Sequence, residues 1–169
     1  VGTSVSLDAY TSSKDEAFTV DWGDGEEKIY NIDPNGWGYS RRINTEIKGG
    51  TITIKGKLVN LDLTKAGITS IELHGQTAMK VINLKENEIV TFAQDGMPAL
   101  TELNLRDNKL TKFMGTGMTS LTELNLQGNQ LDSHEFDITD ASATLTELNV
   151  SDNGDKFINL NLMPFTALE

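Results

Sequence analysis

Apolar residues alternate with polar ones over short stretches of this chain, and the stretches return at a nearly fixed interval. Three of them almost coincide: Leu100-Thr-Glu-Leu-Asn-Leu-Arg-Asp-Asn108-Lys-Leu110, Leu121-Thr-Glu-Leu-Asn-Leu-Gln-Gly-Asn129-Gln-Leu131 and Leu145-Thr-Glu-Leu-Asn-Val-Ser-Asp-Asn153. The runs from Leu58 to Ile68 and from Met79 to Ile89 fit the same frame. The stretches therefore open at Leu58, Met79, Leu100, Leu121 and Leu145, which are 21, 21, 21 and 24 residues apart. A second apolar column, Ile71, Phe92, Phe113, Phe136 and Phe157, follows at 21, 21, 23 and 21. The Leu-x-Leu centre of each stretch has the period of a β-strand, sending its leucines to one face and the intervening residues to the other. One such unit cannot bury its leucines alone. Stacked units can, because they form a parallel sheet with strands about 4.8 Å apart over a continuous core, closed at the back by the phenylalanine column. Asn87, Asn108, Asn129 and Asn153 are expected to point inward and to bond backbone groups in the turn after each strand, since a buried amide must be paired. Ala66 breaks that column in the first unit.

The pattern Leu-x-x-Leu-x-Leu-x-x-Asn-x-Leu resembles the leucine-rich-repeat family over residues 58 to about 168. The segment from Ile68 to Met79, with its short return, is similar to the 21-residue variety of surface and secreted proteins of Bacteroidetes and of internalin-type proteins. The resemblance implies a leucine-rich-repeat solenoid with a parallel β-sheet on its concave side. Gly96-Met-Pro98 and Gly115-Thr-Gly117-Met interrupt any helical run, so turns or short helical turns are expected on the convex side. Residues 58–169 divide into five repeats and a last piece, Pro164 to Glu169, that reads as the start of a sixth or as a C-terminal cap. The strand edge at Asn149 and Val150 predicts either a polypeptide continuing past Glu169 or a dimer through this C-terminal edge.

Residues 1–57 lack the repeat and read as an N-terminal β cap. Strands are expected at Val5–Leu7, Ala17–Trp22, Lys28–Ile32 and Thr51–Ile54, with a hairpin turn at Gly23-Asp-Gly25. The run Phe18-Thr-Val-Asp-Trp-Gly-Asp-Gly25 resembles the turn of PKD-type immunoglobulin-like domains, and Gly50 to Gly56 resembles their closing strand. The segment is shorter than a complete PKD domain, so it reads as a reduced cap over the hydrophobic end of the solenoid. Such caps precede repeats in exported proteins, and the resemblance implies a secreted or cell-surface protein.

Composition narrows the function. A net charge of −11, of which −9 falls in residues 58–169, argues against nucleic acid, whose phosphates demand a basic face. No apolar run approaches the ~20 residues that span a bilayer. There is no cysteine, and no nucleophile elbow, P-loop or zinc signature occurs. The two histidines, His74 and His134, fall on the convex side of the repeat frame. The expectation is a protein that is not an enzyme and carries no cofactor. Two acidic clusters could supply oxygens to calcium: Asp21, Asp24, Glu26 and Glu27 in the cap, and Asp132, Glu135, Asp137 and Asp140 in the longer fourth coil. Neither has EF-hand spacing; hairpin chemistry explains the first and a solvated bulge the second, so no metal site is assigned.

The outward positions of the stacked strands carry the binding hypothesis. They form columns: Asn60, Val81, Glu102, Glu123 and Glu147; then Asp62, Asn83, Asn104, Asn125 and Asn149; then Thr64, Lys85, Arg106, Gln127 and Ser151. With Lys65, Glu86, Asp107, Gly128 and Asp152 alongside, this face holds seven acids and three bases. The expected site is Asn83, Lys85, Glu102, Asn104, Arg106, Glu123, Asn125, Gln127, Glu147 and Asn149, and its charge suits a basic protein or peptide. Stacked glutamates repel by a few tenths of a kcal/mol each, which favours function, whereas duplication of one unit would copy the column without any purpose. Asn104 and Asn125 are expected to face solvent, so that substituting them by arginine leaves the melting temperature unchanged. In the cap, Trp37 and Tyr39 between glycines form a secondary candidate, either stacking on a glycan or plugging the solenoid. A structural spacer carrying other domains is the remaining reading.

Overall fold

A computed structural model describes residues 4–11, 17–31, 40–47, 51–157, 160 and 165–168. Trp37 and Tyr39 lie outside these residues. The strands are β1 (Ser4–Thr11), β2 (Ala17–Asp21), β3 (Glu27–Asn31), β4 (Ser40–Glu46), β5 (Thr51–Gly56), β6 (Leu58–Asp62), β7 (Ser70–His74), β8 (Val81–Asn83), β9 (Thr91–Gln94), β10 (Glu102–Asn104), β11 (Phe113–Met114), β12 (Glu123–Asn125), β13 (Phe136–Asp137) and β14 (Glu147–Asn149).

One strand from each repeat builds the concave sheet. β6, β8, β10, β12 and β14 pair parallel and without slippage, Leu61 beside Ile82, Leu103, Leu124 and Leu148. Period-2 alternation drops Leu61, Leu63, Ile82, Leu84, Leu103, Leu105, Leu124 and Leu126 into the core, each at most 2% exposed. Leu148 and Val150 of the fifth coil are only partly buried, since β14 ends the sheet among the described residues; Phe165 and Leu168 pack against the core nearby.

The asparagine column points inward as expected, with the four side chains 6–8% exposed. Each amide ties two coils together. Asn108 Nδ2 donates to the carbonyls of Leu84 in the preceding coil (3.0 Å) and Leu105 in its own (2.9 Å), and its Oδ1 accepts from the Ile89 N–H (3.0 Å). In the first unit, where Ala66 stands, the Ala66 N–H donates to Asn87 Oδ1 of the next coil at 2.8 Å.

The convex side carries short strands in addition to the expected turns and short helical turns. Ile71, Phe92, Phe113 and Phe136 sit on short parallel strands, β7 beside β9 and β11 beside β13, with the turns confined to the corners between the two sides. A coil of about 21 residues leaves a return too short for a helix, and an extended return spans the same distance with fewer residues. Rings in the column stack at 6.2 Å (Phe92 and Phe113), lie tilted at 6.3 Å (Phe113 and Phe136), and meet edge-on at 5.1 Å (Phe136 and Phe157). Single 3-10 turns occur in the longer fourth coil, at Ser133–Glu135 and Thr139–Ala141.

The cap joins both sides. β1 pairs antiparallel with β6 and with β4, extending the concave sheet, while β2, β3 and β5 extend the convex one through the parallel pair of β5 and β7. Four of these strands fall where alternation places them. β4 was not expected, because Ser40 to Glu46 holds one strong hydrophobe, Ile43. Trp22 is fully buried, donating from Nε1 to the Tyr30 hydroxyl at 2.9 Å, and Phe18 stacks on the Tyr30 ring.

Candidate functional site

The concave sheet encloses a shallow hollow of about 420 Å3. Seven of the ten expected site residues line it: Asn83, Glu102, Asn104, Glu123, Asn125, Glu147 and Asn149. Lys85, Arg106 and Gln127 do not; they stand past the strand ends. There Arg106 pairs with Asp107 (Nε to Oδ2 3.0 Å), Lys65 with Glu86 (2.9 Å), and Gln127 donates to Asp152 Oδ2 at 2.8 Å. The cation beside Glu86 holds that carboxyl below the usual glutamate range, chiefly through the Lys65 hydrogen bond.

Charge at the centre is left unbalanced. Glu102, Glu123 and Glu147 are register partners on β10, β12 and β14, about 4.8 Å apart, and all are exposed. Among the described residues none of the three pairs with a cation.

The adjoining amide column does not simply face solvent, which corrects the expectation for Asn104 and Asn125. Both are half-buried, and their Oδ1 atoms accept from the N–H two residues on, Arg106 and Gln127, each at 3.1 Å. Asn149 does the same to Ser151, and Asp62 to Thr64. The bond stops each strand with a local side-chain turn. Arginine at either asparagine would therefore lose a structural bond as well as any contact with a partner. Asn83 departs from this: its Nδ2 donates to Asp62 Oδ2 at 3.2 Å, and its buried Oδ1 has no partner among the described residues.

The residues just beyond adopt left-handed backbone, Lys65, Glu86, Asp107 and Asp152 at φ between 54° and 57° and Gly128 at 69°. This geometry turns the chain inward so that the next residue, asparagine in four coils, enters the core.

Tyr10 was missed. β1 places it opposite Asn60, on the open face at the cap end of the sheet, 43% exposed. Alternation in Leu7, Ala9 and Thr11 signals that Tyr10 points away from the core, but nothing in the sequence says which sheet β1 joins.

Both imidazoles and several of the other acidic groups have local partners. Asp21 Oδ1 accepts from the N–H groups of Gly23, Asp24 and Gly25 at 2.8–3.1 Å, which is turn chemistry. Asp132 accepts from His134 N–H (3.0 Å), Asp137 from Thr139 N–H (2.9 Å), and Asp140 from Gly117 N–H (2.7 Å). Those backbone bonds hold the carboxyls of Asp132 and Asp137 below the usual range. Among the described residues no group of three or more histidines and acids is arranged to hold a metal ion. His74 lies on the convex side 3.7 Å from Glu72 and 3.5 Å from Asp95.

A repeating strand, an inward asparagine and a short return define a leucine-rich-repeat solenoid. Leucine-rich-repeat family models match residues 93–131 and 141–154. Neither a curated protein nor a solved structure matches the chain. The protein carries leucine-rich repeats, which serve generally as scaffolds for protein interaction.

Proposed function

We propose that this protein is a non-enzymatic recognition module that binds a basic protein or peptide on its concave sheet. The observation that carries the reading is the glutamate column. Three in-register carboxylates, unpaired with any cation among the described residues, repel one another at a cost that a cationic partner would relieve. Two of the three bases on this face, Arg106 and Lys65, are already turned toward Asp107 and Glu86 on the rim. We further propose that the protein works outside the cytoplasm, a reading that rests on the likeness of Phe18 to Gly25 to a PKD-type turn and of the repeats to those of surface proteins.

The test is capture from the native surroundings by the wild-type chain and by the reversal Glu102→Lys/Glu123→Lys/Glu147→Lys. These side chains are exposed, so the fold should survive, while a basic partner is lost by about tenfold or more. Capture that is indifferent to the reversal would rule the concave sheet out.

A further inference from the structure

The concave face does not end at the first repeat. β1 lies antiparallel beside β6, and residues directly opposite share a face: Ala9 and Leu61 are both buried, so the next pair, Tyr10 and Asn60, lies on the open side. Among the described residues the Tyr10 side chain makes no ring contact or hydrogen bond, and Tyr10 is 43% exposed. The other exposed large hydrophobes among the described residues, Ile29, Val90 and Met114, sit on β3, in the turn before β9, and on β11, away from this face. From Tyr10 the same row runs through Asn60 and Val81 to Glu102, Glu123 and Glu147. One end of the row is apolar and aromatic, and the other is anionic.

This asymmetry is not a by-product of repetition. Copying a Leu-Thr-Glu-Leu-Asn-Leu unit multiplies the glutamates, but Tyr10 stands on a strand of the cap, outside the repeat. Strand spacing of about 4.8 Å puts Tyr10 roughly 14 Å from Glu102 and roughly 24 Å from Glu147. An extended chain rises about 3.3 Å per residue, so it covers these distances in roughly four and seven residues.

Building on the concave-face reading, we infer that the partner is an extended polypeptide segment laid across the strands, with a large apolar side chain on Tyr10 and Val81 and lysine or arginine side chains on the glutamate column. The row of register partners fixes the order and spacing of the two chemistries, and Tyr10 is the residue that selects them.

Synthetic peptides test this with the full chain. Trp-Ser-Gly-Ser-Lys-Ser-Gly-Lys carries the deduced spacing; its reversed sequence covers the opposite chain direction; Ser-Gly-Ser-Lys-Trp-Lys-Gly-Ser keeps the composition but clusters the groups. In amide chemical-shift titrations, one spaced peptide should bind about fivefold tighter than the clustered one, with shifts on β1, β6 and β8. Tyr10→Ala should erase that preference and Tyr10→Phe should restore it, both with unchanged melting temperature. Equal affinity of spaced and clustered peptides, or a Tyr10→Ala variant that keeps the preference, overturns the inference, as does the absence of any shift on the concave face. Peptides that bind the glutamates regardless of Tyr10 would leave the concave-face reading standing, whereas a native partner that survives the triple reversal would remove both.

Discussion

Two asparagines that recur in every later coil do different work, and only one of them was legible. Asn108 keeps step with the leucines, so its inward direction follows from the repeat alone; buried at 6% exposure, it has no choice but to bond backbone. Asn104 alternates outward, yet its Oδ1 folds back to the Arg106 N–H, a local bond that alternation does not reveal. Nor did the sequence announce the left-handed residues Glu86 and Asp107, apart from the glycine at the same place in the fourth coil, Gly128. The contrast is measurable by urea denaturation. Asn108→Ala orphans the Ile89 N–H and the Leu84 and Leu105 carbonyls inside the core and should cost about 3 kcal/mol, against about 1 kcal/mol for Asn104→Ala, whose freed amide reaches water. Equal costs would mean that the inner column does not bridge the coils.

Among the elements, the columns were readable and their conformation was not. The spacing of Ile71, Phe92, Phe113 and Phe136 identified one face of one stack, but two-residue strands such as β11 are too short to show period 2. The placement of β1 was hidden for a different reason, since the sheet that an eight-residue strand joins is decided by pairing and not by its own residues. A comparable substitution sits at the first corner, where Gln76 occupies the place that Met97 and Met118 hold in later coils. Fully buried, it accepts from Leu58 N–H at 3.1 Å and donates to the His74 carbonyl at 3.1 Å, a polar closure where the cap meets the stack. The convex column should bear much of the stability, because Phe113 is 2% exposed and lies between two other rings. Phe113→Ala should cost about 3–5 kcal/mol. A loss smaller than about 1 kcal/mol would show that neighbouring coils close over the gap.

For the molecule as a whole, the charge of −11 was plain from composition, but its division between two kinds of carboxylate needed the structure. One kind, the glutamate column of the concave sheet, is unpaired with any cation among the described residues. The other is held by local donors: Glu88 by Lys109, Glu86 by Lys65, Asp132 by the His134 N–H, and Asp137 by the Thr139 N–H and hydroxyl, all of which lower the folded-state pKa. An acid whose pKa is lower in the folded chain than in the unfolded one stabilises the fold above the unfolded value. That contribution fades as pH falls through the folded value, because the unfolded chain then binds the extra proton first. Glu86, Glu88 and Asp137 are exposed and Asp132 is half-buried at the surface, so each effect is small. Asp137→Asn keeps an acceptor for Thr139 but removes the charge. It should therefore melt below the wild type at neutral pH, and the two melting curves should converge as the solution is taken below the ordinary aspartate range. Curves that keep a constant separation through the acid limb would show that the charge on Asp137 takes no part in holding the fourth coil.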